Sequence, residues 1–357
     1  RHTRYISVTG VQTCALPICS LFLARMGVGV GEATLTPGAM SLIADYVPRE
    51  RLGRAMSLYS MGIFIGSGLA LIVGGAVVGY TAAIPTISVP VLGNMASWRV
   101  TFLLVGAPGV LVSLWVLTLR EPLRKKLLLA QDGSPTRLSI AGVIEQIRVR
   151  WQSVIGISVA MIFQSATTFA YTGWAPAFFQ RVHHWTPAEV GRALGVITLT
   201  FGCLGMYTGG VLADRWLEKG IREAHLRVGV LGGIFVLSFV PAFLASSPWV
   251  TLALIAPGMF GLGLPVGTAY AALQLILPNQ VRGQVSALFI FIFNLGGQTL
   301  GPLVPGLLND YVFHTGTMVG TSLAVWLAVA ALMTSLLFRA LFAPYRRHSA
   351  EMEASSR

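Results

Sequence analysis

The sequence predicts an all-α protein that threads a membrane many times, and three observations carry the prediction. Of 357 residues, 54% are hydrophobic and only 11% are charged. That is less than half of the roughly 25% charge that dresses a water-facing surface. Mean hydropathy is +0.72, and 40 Gly with 18 Pro match the enrichment of both residues in membrane helices. Apolar runs of about 20 residues, the length that crosses a bilayer, recur along most of the chain. Such a composition excludes a soluble enzyme and a disordered chain. Three cysteines cannot make a disulfide scaffold, and no heptad charge pattern marks a coiled coil.

Residues 1–19 come first and contain neither a span nor an amphipathic face. They also lack the apolar run of a signal peptide. Their stretch VTGVQTCALPI resembles translated sequencing-adapter read-through, so 1–19 is expected to be a non-native leader. The natural sequence is then expected to extend upstream of residue 20. Cys14 and Cys19 lie in this leader, so they say nothing about redox compartment.

Nine spans follow, at 20–44, 55–80, 100–119, 154–179, 190–213, 228–244, 249–277, 285–308 and 318–342. All are read as helices, because no segment alternates with the period of a membrane strand. The basic residues set their orientation. Nineteen Lys and Arg fall on alternate loops (49–54, 120–150, 215–227, 282 and 339–357), whereas the opposite loops carry only Arg99, Arg181 and Arg192. The basic loops, including the central one, and the C-terminus are therefore expected in the cytoplasm, with the chain in the plasma (inner) membrane. The net charge of +12 then faces anionic headgroups, and no nucleic-acid partner is needed to explain it.

The longest loop holds Asp132-Gly133-Ser134-Pro135 and then an amphipathic stretch, 138–149, suited either to the membrane surface or to a solvated loop. It divides the chain into a leader (1–19), the remainder of an N-terminal helical bundle (20–119), a cytoplasmic linker (120–153), a C-terminal six-helix bundle (154–342) and a cytoplasmic tail (343–357).

An internal repeat supports that division. At an offset of 230, Pro48, Gly53 and Gly66 fall on Pro278, Gly283 and Gly296. Matching helices are six apart, the relation between parallel six-helix halves in one large transporter fold. The run Gly210-Val211-Leu212-Ala213-Asp214-Arg215 is similar to the G-x-L-A-D-R signature of the major facilitator superfamily. Counted from the C-terminus, it falls between helices eight and nine of that fold. The resemblance covers about 20–342 and implies that the nine spans are helices four to twelve. Within the superfamily, Arg25-Met26-Gly27-Val28-Gly29-Val30-Gly31-Glu32-Ala33 with Pro37 and Asp45 resembles the fourth helix of the spinster-like branch. Trp174-Ala175-Pro176-Ala177-Phe178-Phe179-Gln180-Arg181 is similar to the end of that branch's seventh. An acidic first helix, tied to proton coupling in that branch, has no counterpart in this sequence.

Arg25 and Glu32 are the strongest candidates for function, because ionisable groups within a span are costly and usually face a cavity. Seven residues apart, they lie within about 20° of one helical face and roughly 10 Å apart along the axis. That separation suits two stations on one pathway better than a salt bridge. Burial of Glu32 midway along its span would raise its pKa and let a proton bind and leave. The bland alternatives are snorkelling for Arg25 and a structural hydrogen bond for Glu32. The resemblance implies roles for both in substrate recognition and coupling. Gly27, Gly29 and Gly31 suit close helix packing; without a preceding strand they are no dinucleotide motif.

Asp214 and Arg215, with Gly210, sit at a cytoplasmic helix end, where the family likeness implies a gate latch. Asp45 with Arg49, Arg51 and Arg54 resembles the partner loop in the first half. Three polar stripes follow helical spacing: Gln164, Thr168 and Tyr171, accompanied by Thr167; Tyr270 and Gln274; Asn294 and Gln298. Each can be helix–helix glue, and together they favour a polar cavity. Trp174 and Trp185 read as interfacial anchors. His183-His184 reads as loop, because no matching ligand cluster accompanies the pair.

These features favour a secondary transporter that alternates access to a small organic solute, anionic or amphiphilic, and is coupled to protons. It needs no cofactor or metal, has no catalytic residues, and is expected to be a monomer in the bilayer. A lipid-modifying membrane enzyme would want paired acids or a nucleophile beside a base, and only Glu32 and Asp310 are remotely placed. A channel would want a filter-like loop, which the sequence lacks. No P-loop is present to drive a pump.

Overall fold

Backbone groups within a bilayer find no water, so each apolar run closes its hydrogen bonds inside a helix. The structure, a computed structural model, describes residues 20, 22–24, 26–29, 52–82, 86–89, 93–116, 118, 140–277, 279–314 and 318–355. In order these form α1 (Leu52–Ala82), β1 (Thr86–Val89), β2 (Gly93–Ala96), α2 (Ser97–Val116), α3 (Ile140–Val149) and α4 (Trp151–Val182). Then come α5 (Pro187–Glu218), α6 (Ala224–Leu244), α7 (Pro248–Leu275), α8 (Asn279–Leu307), α9 (Val319–Ala340) and α10 (Phe342–Ser355).

Among the described residues, seven helices are long and apolar enough to cross a membrane: α1 and α4 to α9. Helix α2 overlaps the expected span at 100–119, but its described apolar stretch, Gly106–Val116, is shorter than a span. The span expected at 20–44 lies mostly outside the described residues, although 22–24 and 26–29 are helical. Prolines 108, 176, 257, 265, 302 and 305 sit inside helices, as neighbouring helices permit in a membrane. Two helices depart from regular winding. Helix α5 passes through a π-helical stretch, Thr198–Gly202, and α8 continues as π-helix over Leu308–Phe313.

The unit Met56–Glu121 with Leu127–Arg357 holds the core. Helix α4 is its spine, packed along α8 and α9, while α7 packs along α5 and α6, and α6 meets α9. One apolar cluster gathers Tyr171, Phe178, Phe179, Phe239 and Phe243; a second, around the other end of α4, gathers Ile157, Met161, Leu273, Phe289 and Phe338. The α5–α7 crossing is close enough that only glycine fits. A Cβ on Gly209 would meet the Leu264 carbonyl oxygen, and one on Gly205 that of Phe260. Helix α1 lies on α5 through a similar stripe, with Phe64 over Gly202 and Gly68 against Gly195 and Leu199.

Two features were not expected. The loop between α1 and α2 carries an antiparallel hairpin pairing Thr86 with Ala96 and Val89 with Gly93. Residues 343–357, expected as a tail, are helical as far as Ser355. The Tyr345 hydroxyl is buried and donates to the Ala272 carbonyl at 3.0 Å, and Ser153 Oγ lies 2.8 Å from His348 Nδ1. Helix α10 is thereby pinned beneath α4 and α7. The linker's amphipathic stretch is helical as α3, and α4 begins three residues before the expected span.

Candidate functional site

The expected site residues divide into those the structure places and those it does not. Arg25, Glu32 and Asp45 lie outside the described residues, and Arg54 is on α1 with its side chain outside them. Gly210, Asp214 and Arg215 are on the last three turns of α5. Ala213 is buried against Val228 and Leu264, which turns Asp214 and Arg215 outward at the helix end. Arg215 is in the last turn, where its charge complements the helix dipole. Among the described residues neither makes an ion pair.

The α4 stripe points into the bundle. Gln164 is buried and its amide donates to the Leu262 carbonyl of α7 at 3.1 Å. The Thr168 hydroxyl donates back to the Gln164 carbonyl at 3.2 Å, and Thr167 does the same to Phe163 at 2.9 Å. Tyr171 stacks on Phe239, ring centroids 5.3 Å apart with planes within 4°. Its hydroxyl lies beside that of Thr198, and neither completes a hydrogen bond of standard geometry. Two unsatisfied hydroxyls deep in a bundle are costly, and they meet where α5 leaves α-helical winding.

The α7 and α8 stripes are more open. Tyr270 stands edge-on to Phe289 at 5.4 Å and packs against Phe293 at 6.2 Å, an aromatic clasp between the two helices. One turn on, Gln274 is exposed, as is Gln298 on α8. Asn294 returns its amide to the Ile290 carbonyl at 3.1 Å. Trp174, expected as an interfacial anchor, donates its indole N–H to the Pro302 carbonyl of α8 at 3.0 Å. His183 and His184 end α4. His184 takes φ 55°, and the amides of His183 and Trp185 both donate to the Phe179 carbonyl. The pair is a helix cap.

Sequence reading missed a charged cluster at the basic end of the bundle. Glu223, buried just before α6, accepts from Arg227 at 2.7 Å and lies 3.9 Å from Arg346 Nε. Burial opposes its charge, but the Arg227 hydrogen bond and the two arginine charges outweigh that and hold its carboxyl below the usual value. Its i, i+4 spacing to Arg227 was visible; that burial would isolate the pair was not.

A test separates packing from function at Tyr171. Tyr171→Phe removes an unpartnered hydroxyl without leaving a cavity, so thermal stability of the solubilised protein should be unchanged or higher. A fall in stability would show that the hydroxyl is satisfied and structural.

With this arrangement of helices in place, comparison with known proteins decides the family. The sequence model described as Major Facilitator Superfamily matches residues 6–298, most of the chain. The chain belongs to the major facilitator superfamily. An MFS-type efflux pump of Mycolicibacterium smegmatis (strain ATCC 700084 / mc(2)155) is 29% identical over 336 residues, covering 92% of this chain and 72% of that protein. A hexuronate transporter of Bacillus subtilis (strain 168) is 22% identical, with 92% and 75% covered. Among solved structures, a bacterial homologue of the human lysosomal transporter Spinster, inward-facing and unoccupied, aligns with a TM-score of 0.61 at 22% identity, over 94% of this chain and 78% of that one. That match shares the fold, in keeping with the likeness at residues 25–33 and 174–181. This major facilitator chain is a multispan membrane transporter and not an enzyme.

Proposed function

We propose that this major facilitator protein moves a small anionic or amphiphilic organic solute by alternating access, coupled to protons, across the plasma (inner) membrane as a monomer. The sequence feature that carries the coupling is Glu32, a carboxyl within an apolar run, with Arg25 seven residues before it, a spacing that would put both on one face of a helix. Arg25 supplies the counter-charge for an anion, and Glu32 the group that takes and releases a proton. A relative named as a hexuronate transporter, whose substrate is an organic anion, supports the anionic reading. Asp214 and Arg215, with Gly210, Asp45 and Arg54, form the cytoplasmic latch on this reading. Thr168, Tyr270, Gln274, Asn294 and Gln298 border the pathway, with Gln164 and Tyr171 behind them.

Uptake of a panel of labelled uronates and other organic anions by cells carrying the native gene tests this. Accumulation above the external concentration that collapses on adding a protonophore supports proton coupling. Concentrative uptake indifferent to the protonophore contradicts it.

The basic bias also fixes an expected orientation. A cysteine at Ser134 should react with an impermeant reagent only from the cytoplasm, and one at Ser246 only from outside. Labelling of both from one side would overturn the orientation.

A further inference from the structure

The charged cluster missed by sequence reading lines a cavity of about 530 Å³ where α5 ends, α6 begins and α9 passes into α10. Its walls include Trp216, Glu223, Arg227, Arg339, Phe342 and Arg346. An adjoining cavity of about 860 Å³ shares Glu223, Arg227 and Arg346 and adds Arg222. We propose that this cavity is a binding site for the headgroup of an anionic phospholipid, held at the rim of the bundle away from the transport pathway.

Charge is the first argument. Three guanidinium groups of the smaller cavity face one carboxylate, so the site keeps a net positive charge after Glu223 is paired. Arg339 makes no ion pair among the described residues; its guanidinium lies 4.8 Å over the Phe342 ring, with that of Arg227 5.8 Å from the same ring. Arg227 Nε is enclosed and has no hydrogen-bond partner among the described residues. Planar donors held in place by an aromatic ring suit a phosphodiester, which accepts from more than one fork at once.

Position is the second. Beneath the arginines the floor is apolar, formed by Val230 and Leu231 on the α6 face that also carries Arg227. One turn deeper on α6, Ile234 and Phe235 are 52% and 40% exposed. A phosphate in the arginine cradle would lay its acyl chains along this face, with the Trp216 indole at headgroup level. A free phosphate or sugar acid has no use for that floor. Neither α6 nor α9 carries a residue of the three polar stripes, which separates this site from the solute pathway. Basic pockets between spans at the cytoplasmic side are known to hold anionic headgroups.

The test uses the purified full chain in detergent, titrated with short-chain phosphatidylglycerol, with phosphatidylcholine of the same chain length, and with inorganic phosphate. Binding is read by native mass spectrometry. Phosphatidylglycerol should bind in preference to phosphatidylcholine, and millimolar inorganic phosphate should not displace it. Arg339→Gln with Arg346→Gln should weaken phosphatidylglycerol on the order of thirtyfold, and the matching Lys pair should recover most of that. Arg148→Gln, on exposed α3, should change nothing. If the Gln pair does not fold, Arg346→Gln alone keeps the readout, because that side chain is 56% exposed; it should lose about fivefold. Unchanged affinity in these Gln variants, equal binding of phosphatidylcholine, or displacement by inorganic phosphate would each overturn the proposal.

Discussion

Glu32→Gln, introduced into the native gene, is expected to abolish proton-driven accumulation while sparing exchange of solute down its own gradient. The neutral amide has the shape of the protonated acid, so the pathway keeps its form and loses only the group that titrates. Arg25→Lys keeps the charge but loses the planar fork, so a carboxylate substrate should bind more weakly, with KM raised and the pH profile unmoved. Arg25→Ala should be worse again. A purely structural pair behaves differently: both substitutions would lower the amount of folded protein while what survives keeps its normal pH dependence. Uptake against external pH, normalised to folded protein in the membrane, separates the two accounts. A normal profile in Glu32→Gln removes that residue from the coupling.

Gly209→Leu is expected to cost the protein its fold. The α5–α7 crossing brings the Leu264 carbonyl oxygen into the space a Cβ would occupy, and that oxygen belongs to backbone that cannot turn away. Gly209→Ala alone should cost about 1–3 kcal/mol through overpacking, and Leu more. Gly267 is the internal control. Nothing stands within 4 Å of a Cβ built there, so Gly267→Ala should be tolerated and should gain helix propensity of about 1 kcal/mol. Melting of the solubilised variants and their recovery as a single species measure both. Equal stability of the Gly209 and Gly267 variants would contradict the close crossing.

Seven of the nine expected spans were legible because hydropathy over some 20 residues reports burial in lipid whatever the tertiary contacts. The start of α5 carries a local signal, Pro187 in the first turn and a capping box of Thr186 with Glu189, although the expected span begins three residues later, at 190. The direction of a polar stripe was not legible. Gln164 and Gln274 obey the same spacing rule, yet one is bonded within the bundle and the other exposed. A membrane helix is apolar on both its lipid face and its packed face, so periodicity cannot tell which side a lone amide takes. Helix α10 escaped for another reason: its sequence is polar, and what holds it is Tyr345 reaching Ala272, 73 residues away in sequence. The π-helical stretch at Thr198 follows from no residue pattern. Glu223 falls within the basic 215–227 loop, and only the fold brings arginines from three helices into one cavity with it.

Proton movement itself is the most direct test of the central claim. Liposomes containing the native transporter and a trapped pH dye receive a transported anion with no pH gradient imposed. The account predicts a change in internal pH that starts with the solute, follows its concentration, and is absent from Glu32→Gln. Solute entry with no change in internal pH, or the same change in Glu32→Gln, would contradict it.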